Sequence, residues 1–386
     1  MKHELTIGFV SQFSPEDKQA CSGTNHAIAK SLGKIGNVVW CPLTMPPLYR
    51  PACLIAKLLC RTFGKTLLPE YTTWGAKWLS KGFDYNNASK CDVLFFSFCG
   101  SRIMNMKRIN QPSLYLSDAT LVSMIGYYDY FSHMPAFNVK QGVEIEKGSL
   151  DCCDQLIFSS DWAARSAIND LGQSPKKVNV IEFGANLDEN DIRPKNFGCK
   201  QNLNILFMGV DWIRKGGGKT LDAVCWLNEH GVKTRLTIVG IRNIDEKVAR
   251  LPYVENIGFL NKNHKDEYRK LVSIINQSDL LLLPTMAECS AISFAEASAY
   301  GLPIFTHDTG GVSNYIINGR NGYMLSLDST GGEFGKRIKD CLENGELEKM
   351  THEARVVYEE RLNWKVWQQK VATIIHNLTS EKRCNT

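Results

Sequence analysis

Residues 279–301 read DLLLLPTMAECSAISFAEASAYG and form the most informative short stretch of the chain. An apolar run ends at Pro284, a short polar loop follows, and a segment rich in small residues begins near Ser293. A strand that runs through a loop into a helix is the repeating unit of a parallel sheet, and ligands bind such sheets beside the carboxyl ends of the strands. We therefore expect this loop to contact a ligand.

Two glutamates flank the start of the predicted helix. Glu288 lies in the loop and Glu296 lies on the first turns of the helix, so their carboxylates can reach different hydroxyl groups of one ligand. The backbone amides of residues 291–293 form a helix N-terminus that suits phosphate. A structural interpretation stays open, because a glutamate near a helix start also offsets the helix dipole.

The same alternation of strand and helix recurs along the chain. Short β-rich runs predict strands over residues 5–12, 38–43, 93–98, 113–116, 155–159, 178–181, 204–208, 233–239, 254–258, 280–283 and 303–306. Helical patterns lie between them, over residues 25–32, 120–131, 161–170, 218–229, 265–276 and 293–300. This order predicts an α/β protein with doubly wound, Rossmann-like parallel sheets.

The length of 386 residues fits two such domains. Residues 187–202 are polar, lack periodicity and contain Pro194, so we expect the linker there. The prediction is an N-terminal domain over residues 1–190, a second domain over 200–360, and a C-terminal helix over 361–386 that crosses back to the first domain. Two domains that face each other also predict a ligand cleft between them.

The charge of the chain is mild overall but uneven. A net charge of +5 argues against a nucleic-acid-binding protein. Residues 1–110 hold 14 Lys and Arg against 6 Asp and Glu, a net charge of +8. This excess indicates an anionic partner, either a phosphorylated substrate or a membrane surface, unless it is a solvated basic face.

Cysteine usage and apolar runs bear on the compartment. The 13 cysteines include no CxxC pair and no zinc-type spacing, which favours a reducing cytoplasm and predicts no metal site. The apolar run over residues 5–10 is too short for a signal peptide, and no run reaches the roughly 18 apolar residues of a membrane span. We therefore predict a cytoplasmic protein.

Residues 46–82 break the α/β pattern. Their apolar residues are interleaved with Arg50, Lys57, Arg61 and Lys65, which predicts a cationic amphipathic helix. Such a helix either lies on the anionic inner face of a membrane or packs on the sheet with its cations in water. Both interpretations stay open.

A second informative stretch, residues 204–219, reads NILFMGVDWIRKGGGK. A predicted strand opens at Gly209 into a glycine-rich loop, in which backbone amides can approach an anion while Arg214, Lys215 and Lys219 supply positive charge. The loop matches neither the Walker A motif nor the dinucleotide-binding fingerprint. A plain turn with solvated lysines is the alternative.

Together these stretches resemble the retaining glycosyltransferases of family 4, which have the GT-B fold. The resemblance rests on the spacing of Glu288 and Glu296 and on the upstream glycine-rich loop. Three later motifs also match, namely GLP at 301–303, TGG at 309–311 and NGRNG at 318–322. It is dense over residues 204–324. In the N-terminal half it is looser and rests on SGT at 22–24 and FGANLD at 183–188.

The resemblance implies a role for each matched residue. Lys215 corresponds to the lysine that holds the diphosphate of a nucleotide-sugar donor, Glu296 to the carboxylate that binds the ribose hydroxyls, and Glu288 to the carboxylate beside the donor sugar. The remaining donor-binding predictions are Gly23, Gly209, Arg214, Lys219, Ala291 and Ile292.

Two positions depart from the family pattern. Val210 stands where the family usually has an arginine, so either Arg214 or Lys219 supplies that charge or donor affinity is reduced. The family often presents a histidine near the donor sugar, and here that neighbourhood contains Asp118. Asp118 is therefore the predicted catalytic-site contact with sugar or acceptor, with helix capping by Ser117 or Asp118 as the alternative.

The resemblance implies a retaining, metal-independent hexosyltransferase that needs no cofactor. The expected donor is a nucleotide diphosphate sugar, with UDP-sugar favoured, and the expected acceptor is a hydroxyl group of a glycan or lipid-linked glycan in cell-surface polysaccharide synthesis. Lys215 would stabilise the departing diphosphate, and Glu288 is a poor candidate for a nucleophile. Two alternatives remain: a nucleotide-sugar epimerase on the same fold and a non-catalytic sugar-binding partner subunit.

Overall fold

The computed structural model describes residues 4–107, 110–193 and 202–384, with side chains as far as residue 380. The chain divides into two compact units. Unit 1 comprises Met1–Ile181 and Trp367–Thr386, and unit 2 comprises Glu182–Val366. The chain thus passes into unit 2 before the stretch 187–202 in which we expected the linker, and Pro194 of that stretch lies outside the described residues.

Unit 1 is built on a parallel six-stranded sheet with the strand order β2-β1-β3-β4-β5-β6. Its strands are β1 (Thr6–Ser11), β2 (Asn37–Pro42), β3 (Val93–Ser97), β4 (Ser113–Ser117), β5 (Gln155–Phe158) and β6 (Val178–Val180). The central strands β3 and β4 are buried along their whole length, as expected where helices cover both faces of a parallel sheet.

The helices that accompany this sheet are α1 (Thr24–Leu32), α2 (Tyr49–Arg61), α3 (Thr73–Leu79), α4 (Tyr85–Ala88), α5 (Leu121–Met124), α6 (Asp129–Ser132), α7 (Ala136–Asp151) and α8 (Asp161–Asn169). The sequence predicts a single helix over residues 120–131, and this is wrong. Gly126 lies between α5 and α6 with a positive φ of 76°, which an α-helix does not accommodate.

Unit 2 has a second parallel six-stranded sheet, with the order β12-β11-β10-β7-β8-β9. Its strands are β7 (Leu203–Met208), β8 (Thr234–Val239), β9 (Val254–Gly258), β10 (Leu280–Leu282), β11 (Ile304–His307) and β12 (Gly322–Leu325). Its helices are α9 (Gly217–Glu229), α10 (Glu246–Ala249), α11 (Lys265–Gln277), α12 (Ile292–Ala299), α13 (Gly331–Glu343) and α14 (Glu346–Glu360). The two doubly wound sheets confirm the predicted α/β fold class.

A last helix, α15 (Trp364–Cys384), begins in unit 2 and continues in unit 1. Within unit 2 the Trp364 ring stacks on Phe183, with 6.1 Å between ring centroids. Within unit 1 the fully buried Trp367 packs edge-on against Phe95 of β3 at 6.0 Å. Aromatic contacts thus anchor the start of α15 in unit 2 and its continuation in unit 1.

Strand order reverses once in each sheet. In unit 1 the reversal lies between β1 and β3, which pair in parallel with Gly8 opposite Leu94. In unit 2 it lies between β7 and β10, with Leu281 opposite Leu206. Loops that leave neighbouring strands in opposite directions open a crevice at the carboxyl ends, where doubly wound sheets bind ligands. We refer to these places as the switch points of unit 1 and unit 2.

The segment 46–82 folds as two helices, α2 and α3, rather than one. Within α2 only Tyr49 is buried. Six apolar side chains in and beside α2 are 61 to 81 % exposed, namely Leu48, Leu54, Ile55, Leu58, Leu59 and Phe63. The interpretation in which this helix packs its apolar face on the sheet is therefore wrong.

None of the helices in the described part of the chain is both long and apolar enough to cross a membrane.

Candidate active site

The glycine-rich loop after β7 crosses the switch point of unit 2. Gly209 lies under the stem of Lys215, and a Cβ at Gly209 would come within 2.9 Å of the Lys215 Cγ. Gly216 has a φ of +74°, and a Cβ there would lie 2.0 Å from the Pro284 carbonyl oxygen. Only glycine permits this conformation and this contact, which bring the loop after β7 against the loop after β10.

Lys215 and Glu288 form an ion pair between these two loops. The two residues are only 9 % and 7 % exposed, so the pair is largely withdrawn from water. Next to it the Arg214 guanidinium donates to the Ala287 carbonyl at 2.8 Å, and the Met286 amide donates to the Arg214 carbonyl at 2.7 Å. The structure therefore brings Glu288 to Arg214 and Lys215, although 73 positions separate Glu288 from Lys215 in sequence.

The TGG motif and the start of helix α12 meet this loop. The Gly311 amide, from the TGG motif, donates to the Glu288 carbonyl at 2.9 Å. Helix α12 begins directly after the loop, with Ala291 as its N-cap. The Ile292 amide donates to the Ser290 carbonyl at 3.1 Å and the Phe294 amide to the Ala291 carbonyl at 2.9 Å, so what this helix start offers an anion is the positive end of its dipole.

Glu296 lies about one turn into α12 and is 3 % exposed. It forms an ion pair with Lys262, and the backbone amide of Asn186 donates to its carboxylate. Burial raises the pKa of Glu296, while Lys262 and the Asn186 hydrogen bond oppose that rise. The site can therefore hold a carboxylate away from water without leaving it unpaired.

Sequence reasoning missed Lys262. It lies in the loop between β9 and α11, and nothing in its local sequence ties it to Glu296. The one available signal was its position just after a predicted strand, at the edge of the sheet where ligands bind.

Lys219 has different partners from Lys215. Its ammonium group donates to the Leu327 carbonyl at 2.8 Å and lies 3.2 Å from the His307 Nε2. His307 is fully buried, and burial together with the Lys219 charge lowers its pKa. Val210, at the position where the family has arginine, is 68 % exposed. Arg214 is thus the cation that the structure brings to the Lys215–Glu288 pair.

The predicted site residues of unit 1 lie at the carboxyl edge of its own sheet. Gly23 has a φ of +84° and is the N-cap of α1, and the two residues before it, Cys21 and Ser22, also have positive φ values of 50° and 57°. Left-handed conformations in non-glycine residues are strained and concentrate at functional sites. Burial and the nearby Asp118 carboxylate raise the pKa of Cys21 to about 11, which places Asp118 close to this turn.

Neither Ser117 nor Asp118 is the N-cap of helix α5. That N-cap is Thr120, whose hydroxyl accepts from the Ser123 amide at 3.1 Å. The Ser117 hydroxyl donates to the Ala119 carbonyl at 2.9 Å. The role of Asp118 as a sugar or acceptor contact stays a prediction.

Among the residues described, no group of three or more His, Cys, Asp or Glu side chains is arranged to hold a metal ion.

The sequence model of the family described as "Glycosyl transferases group 1" matches residues 188–383. The chain belongs to this family. The D-inositol 3-phosphate glycosyltransferase of Gordonia bronchialis is 24 % identical over 235 residues, which cover 57 % of this chain and 51 % of that protein. The UDP-Gal:alpha-D-GlcNAc-diphosphoundecaprenol alpha-1,3-galactosyltransferase of Escherichia coli is 22 % identical over 188 residues, with 46 % and 48 % covered. The chain spans about half the length of each relative.

Solved structures extend the likeness to both units. Sucrose-phosphate synthase from Thermosynechococcus elongatus matches with a TM-score of 0.71 and 13 % identity, over 98 % of this chain and 100 % of that one. HepE from Anabaena, in complex with UDP and glucose, matches with a TM-score of 0.62 and 15 % identity, over 97 % and 100 %. These likenesses show that the protein has the GT-B glycosyltransferase fold.

Proposed function

We propose that the protein transfers a sugar from a nucleotide diphosphate sugar, with UDP-sugar favoured, to a hydroxyl group of a glycan or lipid-linked glycan in cell-surface polysaccharide synthesis. The observation that carries the proposal is the buried Lys215–Glu288 pair beside Arg214 and the start of α12, at the switch point of unit 2. Two printed names support it: HepE holds UDP-glucose, and the Escherichia coli relative is named for a UDP-Gal donor and a diphosphoundecaprenol-linked acceptor.

The proposed step breaks the bond between the anomeric carbon and the diphosphate oxygen. The departing diphosphate gains negative charge, which Lys215, Arg214 and the positive end of the α12 dipole stabilise. The acceptor oxygen bonds to the anomeric carbon on the same face, so the configuration is retained, and its proton passes to the departing diphosphate. No metal ion takes part in this route.

Donor binding replaces the Lys215–Glu288 ion pair with contacts to the donor. The diphosphate takes over Lys215, and the Glu288 carboxylate becomes available to accept hydrogen bonds from sugar hydroxyls. Glu296, held by Lys262, accepts from the ribose hydroxyls. Side chains that already hold each other in place lose less freedom when they bind the donor.

A donor screen tests the proposal. Purified protein is incubated with a panel of nucleotide sugars, with and without glycan acceptors, and nucleoside diphosphate release is measured. We expect release from at least one donor, and loss of release in Lys215→Ala and Glu296→Ala. No binding of any nucleoside diphosphate, with both variants unchanged in every assay, would refute the proposal. Binding without turnover on any acceptor would favour the partner-subunit alternative, which the exposed Val210 at the arginine position also favours.

We further propose a peripheral contact between α2 and the anionic inner face of a membrane. The helix presents exposed leucines and Ile55, and Phe63 beyond its end is 81 % exposed. Arg50, Lys57 and Arg61 occupy another side of the same helix and can meet lipid phosphates. A helix that buries almost none of its own apolar surface in the protein gains from burying it in lipid.

Sedimentation with phospholipid vesicles tests this contact. The chain is mixed with anionic and with neutral vesicles, and we expect binding to the anionic ones. Ile55→Ser with Leu59→Ser should abolish binding, whereas the control Ile213→Ser, which changes an even more exposed apolar residue of unit 2, should not. Equal sedimentation of all three proteins would refute the membrane contact.

A further inference from the structure

A cavity of about 530 Å³ opens within unit 1, at the switch point between β1 and β3. Gln12 lines it from the loop after β1, and Phe98 and Arg102 line it from the loop after β3. Arg50 and Lys57 of α2 form another wall. This volume is in the range of small-molecule sites, and the position is the one at which doubly wound sheets bind ligands.

Arg102 is the fixed charge of this cavity. It is 4 % exposed, and its guanidinium donates to the Gln12 side-chain oxygen at 3.0 Å and to the Leu43 carbonyl at 3.3 Å. Within the residues described, no carboxylate lies within 4.0 Å of Arg102, so neutral oxygens alone hold the buried cation. A buried charge without an opposite charge is costly, and an anionic ligand would relieve that cost.

The remaining lining strengthens the preference for an anion. Arg50, Lys57 and Arg102 are three cations against the single carboxylate of Glu70, a net charge of +2. Guanidinium groups pair with phosphate through two parallel hydrogen bonds, so two arginines and a lysine suit a phosphate-bearing group. Glu70 and the Gln12 amide can accept hydrogen bonds from hydroxyls attached to the same ligand.

The backbone at the end of β3 is strained in the same place. Phe98 has a φ of +50°, a left-handed conformation that bulky residues rarely adopt, and it lines the cavity. Its amide donates to the Leu116 carbonyl at 3.0 Å, which keeps it attached to β4. Strain of this kind persists where the surrounding structure imposes it, and it clusters at ligand sites.

We infer that this cavity binds a phosphate group of the acceptor, with Arg102 as the fixed donor and with Arg50 and Lys57 as donors from α2. The inference rests on the proposed function, because it takes the bound molecule to be the sugar acceptor. It adds that this acceptor carries a phosphate group. The phosphate can belong to a lipid-linked diphosphate or to a free phosphorylated glycan. Helix α2 forms one wall of the cavity and also presents an exposed apolar face. A lipid chain attached to the bound phosphate can therefore lie along that face.

Calorimetric titration tests the inference. The donor site is first filled with UDP, and then inorganic pyrophosphate or geranyl diphosphate is titrated into the protein. We expect Arg50→Gln with Lys57→Gln to weaken the affinity for both probes by about tenfold or more, since each charge-assisted hydrogen bond contributes on that scale. The matched control, Arg61→Gln with Lys65→Gln, removes the same charge near the same helix but outside the cavity lining, and should change affinity less than twofold.

The outcomes distinguish a lipid-linked from a free phosphorylated acceptor, and they separate a failure of the cavity site from a failure of donor binding. Tighter binding of geranyl diphosphate than of pyrophosphate supports a lipid-linked acceptor, and equal binding supports a free phosphorylated one. Equal affinity in the wild type and in the Arg50→Gln, Lys57→Gln chain, or an equal loss in the control, overturns the cavity site. Arg102→Gln should also weaken both probes, and its thermal unfolding is recorded to show that the chain still folds. UDP affinity is measured separately in each variant, so a failure of donor binding is distinguished from a failure of the cavity.

Discussion

The two units contain buried charges, but they compensate them differently. In unit 2, Lys215 is paired with Glu288, and Glu296 is paired with Lys262. In unit 1, Arg102 is held by neutral oxygens. The buried Glu146 carboxylate in unit 1 accepts from the Leu121 amide at 2.7 Å, and no cation among the described residues lies within ion-pair distance of it.

This difference implies that the two units would bind a charged ligand in different ways. In unit 2 the protein supplies its own counter-charges, so the charged groups of the site are already oriented. In unit 1 a buried group must take a ligand or change protonation to reduce the cost of burial. Burial accordingly raises the pKa of Glu146 to about 8, which keeps this carboxyl largely protonated at neutral pH.

The largest expected effect comes from breaking the unit 2 pair at its cation. Lys215→Ala should lower the rate of donor turnover by about 100- to 1000-fold, because a charge that faces the departing diphosphate is lost. The measurement is nucleoside diphosphate release under saturating acceptor. Lys336→Ala, which removes an exposed lysine of α13, is the control and should be unaffected. A similar loss in both variants would contradict a specific role.

Removing the partner of Glu296 should destabilise the fold. Lys262→Met leaves a buried carboxylate unpaired, and we expect a loss of about 3 kcal/mol in the free energy of unfolding at pH 8. The native pKa of Glu296, already raised by burial, should rise further. A group with a raised native pKa holds its proton more tightly when folded, so stability falls as pH rises above the unfolded pKa and the loss is smaller at pH 5.

Denaturant unfolding at both pH values measures this effect. Lys265→Met changes an exposed lysine at the start of α11 and should have no such pH-dependent loss. Combining Lys262→Met with Glu296→Gln should remove the pH dependence. An equal loss for Lys262→Met at pH 5 and pH 8 would show that packing, and not the ion pair, explains the result.

Glu146 offers the converse test in unit 1. The unfolded carboxyl releases its proton near pH 4.5 and the native one near pH 8, so wild-type stability should fall as pH rises across this window. Glu146→Gln removes the ionisation and keeps an acceptor for the Leu121 amide. Its unfolding free energy should exceed that of the wild type by roughly 4 kcal/mol at pH 8 and by about 1 kcal/mol at pH 5. Glu144→Gln, exposed on the same helix, serves as the control, and a matching gain in that variant would be evidence against the assignment.

The smallest expected effect concerns Val210, which stands where the family usually has an arginine. Val210→Arg restores a cation in the loop after β7, at a position that is 68 % exposed and so tolerates a long side chain. We expect UDP affinity to rise by about fivefold, as for one additional charge-assisted hydrogen bond to the diphosphate. Ile213→Arg adds the same charge to the same loop at an 85 % exposed residue and should raise affinity less. Equal gains would indicate a general electrostatic effect.

Local patterns predicted most of the secondary structure. The apolar run at 280–283 covers the fully buried strand β10, because a central strand of a parallel sheet is buried on both faces and requires a continuous apolar run. The short strand β12 was missed, since it begins at Gly322, where a Cβ would lie 1.9 Å from the Ile304 carbonyl oxygen. That glycine looks like a turn residue in the sequence, and only the close approach of β11 explains it.

The sequence by itself determined the family and the alternation of strands and helices, and it singled out Lys215, Glu288 and Glu296 as candidate site residues, because residue types at these spacings are local properties of the chain. Tertiary structure alone decided which charges meet. Lys262 reaches Glu296, and Arg102 is buried among neutral oxygens, because strand order brings distant loops to one sheet edge. It also decided that the apolar face of α2 stays in solvent, since amphipathic periodicity shows that a face exists but not what covers it.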